Sequence, residues 1–228
     1  MVETRRRQIE DVASVLFREH GYAATSVRDI ARALDIKGAS LYSHVTSKED
    51  VLWAIVDRAA DRFDAEVGPI AADTTMPAPE RLRRMIRAHV SVVSTDQGSA
   101  AVFLQDWRSL SAERRASIAQ RRDGYEARFR SVIADGIAAG AFAPTDVSLA
   151  AAFVLTALNG IAGWFRPDGA LPASEIADRY ADLALGGLLS RAPSASPEFL
   201  SAPSELLSVR MTADDADRAF SLSIEDRR

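Results

Sequence analysis

The chain has 228 residues, a formal net charge of −4, 26% charged residues and no cysteine. That length suits one or two domains with a substantial core, and the absence of thiols excludes disulfides, thiolate catalysis and cysteine-ligated metals. His20, His44 and His89 are far apart in sequence, and no phosphate-binding glycine loop or strand-to-helix nucleophile turn occurs. No catalytic residue, metal site or cofactor is therefore assigned. Arg5-Arg6-Arg7 is followed by an amphipathic segment rather than an apolar signal stretch, which predicts a cytoplasmic protein.

Residues 5–19 carry Ile9, Val12, Ala13, Leu16 and Phe17 at helical spacing. Ser26, with Asp29 three positions on, is a capping pattern that starts a second helix at Val27. Val27, Ile30, Ala31 and Leu34 form its apolar face, and Asp35-Ile36-Lys37-Gly38 breaks the period. A further short helix follows, with Leu41 and Val45 inward and Ala39, Ser40, Tyr42 and Ser43 outward. Helices this short are marginal alone and need the first helix to pack on. The arrangement predicts a helix-turn-helix whose second helix enters the major groove of DNA.

Charge does not by itself favour DNA, since residues 1–50 hold eight Lys or Arg against eight Asp or Glu. Placement must supply the affinity. Arg5, Arg6 and Arg7 head the first helix, Arg28 lies in the second, Lys37 at the recognition helix and Lys48 at the next helix start, while Glu10, Asp11 and Glu19 can point away. Lys37 and Lys48 are the two lysines of the chain, both where a compact ammonium suits phosphate. The predicted DNA-contacting set is Thr25, Ser26, Arg28, Lys37, Gly38, Ala39, Ser40, Tyr42, Ser43, His44 and Lys48. Lys37 and Ser40 are the candidates for base edges, and Gly38 and Ala39 allow close approach or contact with a thymine methyl. Tyr42, His44 and Lys48 are candidates for phosphate, Lys48 beside a helix N-terminus capped by Ser47.

From Lys48 an apolar stripe runs to about Val67, where Gly68-Pro69 is expected to end the helix, and residues 70–78 read as a loop. Helices are predicted from Pro79 to Ser94, Ser99 to Trp107, Ser111 to Ala139 (stopped by Gly140), and over residues 146–165 and 173–190. No strand or internal repeat is evident, so the fold class is all-α. From Ala192 periodicity is lost, which predicts a flexible tail over 192–228.

Residues 147–165 contain no charge and approach the length of a bilayer span. Ser148, Thr156, Asn159 and the many small residues favour a helix buried in protein instead. The last helix is similar: Ile176, Tyr180, Leu183, Ala184 and Gly187 form one face, which Ala181, Leu185 and Leu188 broaden. Two such helices per chain predict a four-helix interface in a homodimer, and a two-fold dimer predicts a palindromic operator.

Arg6 to Tyr22 (R-x-x-I-x-x-x-A-x-x-L-F-x-x-x-G-Y), Thr25 to Ala31 (T-S-V-R-D-I-A) and Leu41 to Leu52 (L-Y-S-H-V-x-S-K-E-D-V-L) resemble the TetR family of transcriptional regulators. The resemblance implies a helix-turn-helix head over residues 1–47 and a larger helical domain over 48–191 that dimerises and binds a small molecule. Repression is the family's habit.

Trp107 to Ile118, Arg121 to Ile133, Trp164 to Gly169 and Ile176 to Leu188 resemble its subgroup of acyl-CoA-responsive repressors of fatty-acid and sterol-side-chain catabolism. This implies an acyl-CoA effector. Phe103, Trp107, Tyr125, Phe129, Phe153, Asn159 and Trp164 are the candidates to line its cavity, and Arg114, Arg115, Arg121 and Arg122 to meet its phosphates. The chain departs from the subgroup at Gly160-Ile161-Ala162-Gly163, where members carry aromatic and arginine residues. That loss of bulk and charge leaves open a smaller or differently shaped thioester, and the alternative is the same repressor fold responding to a different hydrophobic small molecule.

Overall fold

Nine α-helices and no strand occur among the described residues, 2–189, of the computed structural model. α1 (Val2–His20) stops at Gly21, whose φ of 81° is the left-handed conformation that glycine adopts without steric cost. α2 (Val27–Ala33) starts in a capping box: the Asp29 N–H donates to Ser26 Oγ, and the Ser26 N–H donates to the Asp29 carboxylate at 2.9 Å. The Ser26 hydroxyl and N–H hold the Asp29 carboxyl below its ordinary range. The turn that follows passes through Asp35 at φ 51°, a region that aspartate tolerates better than most residues. α3 (Gly38–Leu41) is one turn, prolonged where the His44 and Val45 N–H groups donate to the Leu41 carbonyl. Ile9, Ala13, Phe17, Ile30, Ala31, Leu41 and Val45 are buried together as the core of this head.

α4 (Lys48–Ala72) is capped by Ser47 and runs beyond the expected stop at Gly68-Pro69. Proline removes one backbone donor and disfavours helix in the residue before it. Here Ile70 and Ala71 pack on the core beyond it, and Arg81 donates to the Ala71 carbonyl at 3.1 Å, so tertiary contacts carry the helix four residues further than Gly68. α5 (Ala78–Thr95) follows a short loop. α6 (Gln97–Gln105), continued by a 3-10 turn over Asp106–Ser109, starts two residues before the expected Ser99 because the Asp96 side chain caps it, accepting from the Ser99 N–H. Gly98 therefore sits inside the helix, where a Cβ would lie 2.8 Å from Ser14 Oγ of α1.

α7 (Ala112–Ala138) ends in a Schellman motif: the Ala141 N–H donates to the Gly136 carbonyl, the Gly140 N–H to that of Ile137, and Gly140 has φ 72°. The reversal folds the Phe142 ring onto Gly136, where a Cβ would come within 2.1 Å of it. Gly136→Ala is therefore expected to destabilise the protein by about 2 kcal/mol, the overpacking outweighing the roughly 1 kcal/mol of helix propensity gained. Urea unfolding measures this, and Phe142→Leu in the same chain is expected to restore part of the loss; a Gly136→Ala variant as stable as the parent refutes the contact.

α8 (Val147–Trp164) is capped by Asp146, and α9 (Ala173–Leu189) lies against α5. α8 has the length and apolar composition of a membrane span. Its Ala151, Val154, Leu155, Leu158, Ile161 and Ala162 nevertheless pack into the protein core. In α9 the buried face is Ile176, Ala177, Ala181, Ala184, Leu185 and Leu188. Leu183 and Gly187, expected on the same face as Ile176 and Ala184, instead face outward. The predicted tail, 192–228, lies outside the described residues.

A candidate nucleic-acid head and a candidate effector cavity

The head exposes a compact set of donors. Arg28, Lys37, Ala39, Ser40, Tyr42 and Ser43 are exposed, Tyr42 by 58%, and the Ser43 hydroxyl donates to the Ser40 carbonyl at 2.7 Å. Gly38 and His44 are half-buried beside them, and a Cβ at Gly38 would meet only open space. Ser26 is exposed but engaged as the cap of α2.

Two predicted DNA contacts are differently occupied. Thr25 is buried, and its hydroxyl donates to the Gly21 carbonyl at 2.9 Å, closing the end of α1. The Lys48 ammonium donates to the carbonyls of Tyr22 at 2.8 Å and Thr25 at 2.9 Å and lies 4.2 Å from the Tyr22 ring centroid. A cation in the first turn of a helix opposes the helix dipole. Here those carbonyls and the ring compensate, and the ammonium ties α4 to the α1–α2 turn.

The balanced charge of the head also resolves in three dimensions. Glu10 is 7% exposed and is neutralised by Arg6 and Arg58, and Arg58 also reaches Asp11 at 3.2 Å. Glu10 and Asp11 of the first helix are thus matched by an arginine of α4, and Arg28 and Lys37 stand without a carboxylate partner on the outer surface, among the described residues.

Arg58 donates as well to Ser99 Oγ of α6, and Gly98 abuts Ser14 of α1. Arg114 of α7 pairs with Asp50 at 2.6 Å and with Glu49 in the first turn of α4. Glu49 also accepts the Ser111 N–H, and that bond is the main reason its carboxyl lies below the ordinary range. The head is therefore held from two sides, by α6 and by the start of α7.

Those helices also line a cavity of about 260 Å³. Its walls are Ala60, Phe63 and Asp64 of α4, His89 of α5, Phe103 and Leu104 of α6, Arg121 to Asp123, Tyr125 and Glu126 of α7, and Ala152, Leu155, Thr156 and Asn159 of α8. Phe103, Arg121, Arg122, Tyr125 and Asn159 among the predicted ligand residues are brought together here. Phe129 is fully buried in the core and does not line the cavity. Phe153, 70% exposed, and Trp164, 50% exposed and stacked on Tyr180, lie on the outer face of α8. Trp107 does not line the cavity, though its ring lies 5.3 Å from the guanidinium of the lining Arg122.

The arginines divide sharply. Arg121 is engaged by Asp57, Asp61 and Asp64 at 2.7–3.0 Å, and Arg114 by the first turn of α4, so both tie helices together. Arg115 is exposed, with one bond of 3.4 Å to the Arg108 carbonyl. Arg122 has no carboxylate partner among the described residues; it rests on the Phe103 and Trp107 rings, and burial followed by the nearby Arg108 charge lowers its pKa.

Sequence reasoning missed Phe63, Asp64 and His89. His89 carried a usable signal, being the one polar residue within the apolar face Leu82, Met85, Ile86, Val90, Val93. It is 1% exposed, its Nδ1 lies 3.0 Å from Tyr125 Oη, and burial pushes its pKa from 6.5 down to about 3. Burial also pushes the Tyr125 phenol up, so both are neutral at pH 7.

The unfolded chain gains a proton on His89 near pH 6.5 and the folded chain only near pH 3. Stability from this residue is complete above that upper value and is lost as pH falls toward the lower one, by about 1.4 kcal/mol per unit. Urea unfolding at pH 7 and 5.5 should show a His89-dependent loss of about 1 kcal/mol that His89→Leu lacks. An equal acid loss in both proteins contradicts this.

Residues 9–55 match the family described as bacterial regulatory proteins, tetR family, and residues 75–188 match the tetracyclin repressor-like C-terminal domain. The chain is 29% identical over 189 residues to the HTH-type transcriptional repressor KstR2 of Mycobacterium tuberculosis, spanning 82% of this chain and 94% of that one. The crystal structure of the TetR family regulator PfmR from Thermus thermophilus superposes with a TM-score of 0.73 and 38% identity, over 80% of this chain and 99% of PfmR. The structure of AibR in complex with isovaleryl coenzyme A and operator DNA superposes with a TM-score of 0.71 and 30% identity, over 78% of this chain and 97% of AibR.

Proposed function

The chain belongs to the TetR family of transcriptional regulators, and from that premise we propose that it is an operator-specific repressor released from DNA by a short acyl-CoA thioester. The observation that carries the effector reading is Arg122: a cavity-lining guanidinium without a carboxylate partner among the described residues, beside an apolar wall, in a fold whose relative AibR is solved with isovaleryl coenzyme A. A cavity of about 260 Å³ suits a short acyl group, with the anionic remainder of the thioester held toward Arg122.

The path to the head is physical. Phe103 and Leu104 line the cavity on the same helix whose Gly98 abuts Ser14 and whose Ser99 meets Arg58. An effector that displaces α6 or α7 shifts α1 and the first turn of α4, and so the spacing of two recognition helices in a dimer. By linkage, effector and operator weaken each other's binding by the same factor. Residues 1–47 act as the DNA-binding domain and 48–191 as the effector and dimerisation domain, on a palindromic operator in the cytoplasm. Lys37, Gly38, Ala39 and Ser40 face base edges, and Arg28, Tyr42, Ser43 and His44 face phosphate.

Fluorescence polarisation on DNA from immediately upstream of the gene, against scrambled DNA, tests this. Tight, sequence-dependent binding released by isovaleryl-CoA or butyryl-CoA, and not by free CoA, is the expected result. Binding that no thioester releases discards the acyl-CoA reading. Tyr42→Phe is expected to weaken binding several-fold without changing sequence preference, and Lys37→Ala to change preference as well. If both bind like the parent, the placement of the recognition helix is wrong.

A further inference from the structure

The cavity wall includes a fully buried polar group that the protein leaves half satisfied. His89 is 1% exposed, its ring 4.9 Å from that of Phe63, and its Nδ1 is taken by Tyr125. Its Nε2 is buried and meets no protein donor or acceptor among the described residues. Leaving such a group unpaired is unfavourable, and an apolar side chain on this face of α5 would avoid that cost. Tyr125 fixes the ring and leaves one defined edge. When the phenol donates to Nδ1, Nε2–H is a donor; in the other tautomer Nε2 is an acceptor.

We propose that His89, oriented by Tyr125, binds an oxygen of the effector inside the cavity, so that the protein selects an oxygenated ligand over a hydrocarbon of the same shape. The oxygen is the thioester carbonyl or a hydroxyl or oxo group along the acyl chain. Either accepts from Nε2–H, and a hydroxyl can also donate to Nε2. The proposal rests on the cavity being the effector site and adds what that site reads.

The test needs a probe pair that is independent of coenzyme A. Full-length protein and its His89→Leu, His89→Gln and Tyr125→Phe variants are titrated with cyclohexanone and with methylenecyclohexane, matched in shape. Wild type is expected to bind the ketone about tenfold more tightly. His89→Leu should bring that ratio to about one, His89→Gln should restore part of it, and Tyr125→Phe should reduce it. A packing role alone would change both affinities together. An unchanged ratio in His89→Leu overturns the proposal, as does failure of wild type to bind either ring.

Operator release by butyryl-CoA, its thioether analogue S-butyl-CoA and 3-hydroxybutyryl-CoA then locates the oxygen. A His89-dependent advantage of butyryl-CoA over the thioether assigns it to the carbonyl, and one of the hydroxy compound over butyryl-CoA assigns it to the chain. A His89-dependent ketone preference with no response to any thioester supports this proposal while refuting the acyl-CoA reading.

Discussion

Leu183→Glu is expected to turn the dimer into a monomer and to lower operator affinity by about a hundredfold or more. Leu183 is 74% exposed, and Leu149 and Phe153, both 70% exposed, lie on the outer face of α8. Phe153, Tyr180 and Leu183 line one groove between these helices. Gly160, Gly163 and Gly187 would place a Cβ in open space, so a partner helix can approach closely there. TetR-family regulators dimerise, and an apolar strip of this kind is the surface such an interface buries.

Under two-fold symmetry one substitution puts a carboxylate into the interface from each subunit, and each is desolvated without a partner. At a site this exposed the same change leaves the isolated fold within roughly 0.5 kcal/mol of the parent. Sedimentation velocity with a circular-dichroism control separates the two effects. A variant that remains dimeric would remove α9 from the interface.

Lys48→Met is expected to destabilise the head by about 2 kcal/mol, since an ammonium bound to carbonyls contributes more than a neutral hydrogen bond. The loss falls where α1, α2 and α4 meet, because Tyr22 and Thr25 lie in the α1–α2 turn and Lys48 opens α4. Operator binding should weaken through that loosened junction, with an unchanged dependence on salt. A lysine that met phosphate would instead lower the slope of log affinity against log salt by about one. Hydrogen exchange of the α1–α2 turn, with affinities at several salt concentrations, decides between these roles; a reduced slope with a rigid turn restores Lys48 to the DNA-contacting set.

Local chemistry made much of this molecule legible. The capping box at Ser26 and Asp29, the helix stop at Gly140, and the helical periods of Ile9 to Phe17 and Leu82 to Val93 act within a few residues, so the chain order of these residues is enough to place them. The motifs of the head identified the family for the same reason. Tertiary structure decided whatever depended on partners distant in sequence. α4 continues through Pro69 because Arg81 and the core hold its end, and Gly98 is an approach site because Ser14 lies against it.

The long-range rule applies with most force to charge. A lysine or arginine looks alike in sequence whether it meets phosphate, a carbonyl or three aspartates. Lys48 and Arg121 became internal ties, and Arg122 was left as the cavity's arginine without a carboxylate partner among the described residues. His89 and Leu183 show the same limit for burial: helical period places a residue on a face, but what lies across from that face is set by the packing of the other helices.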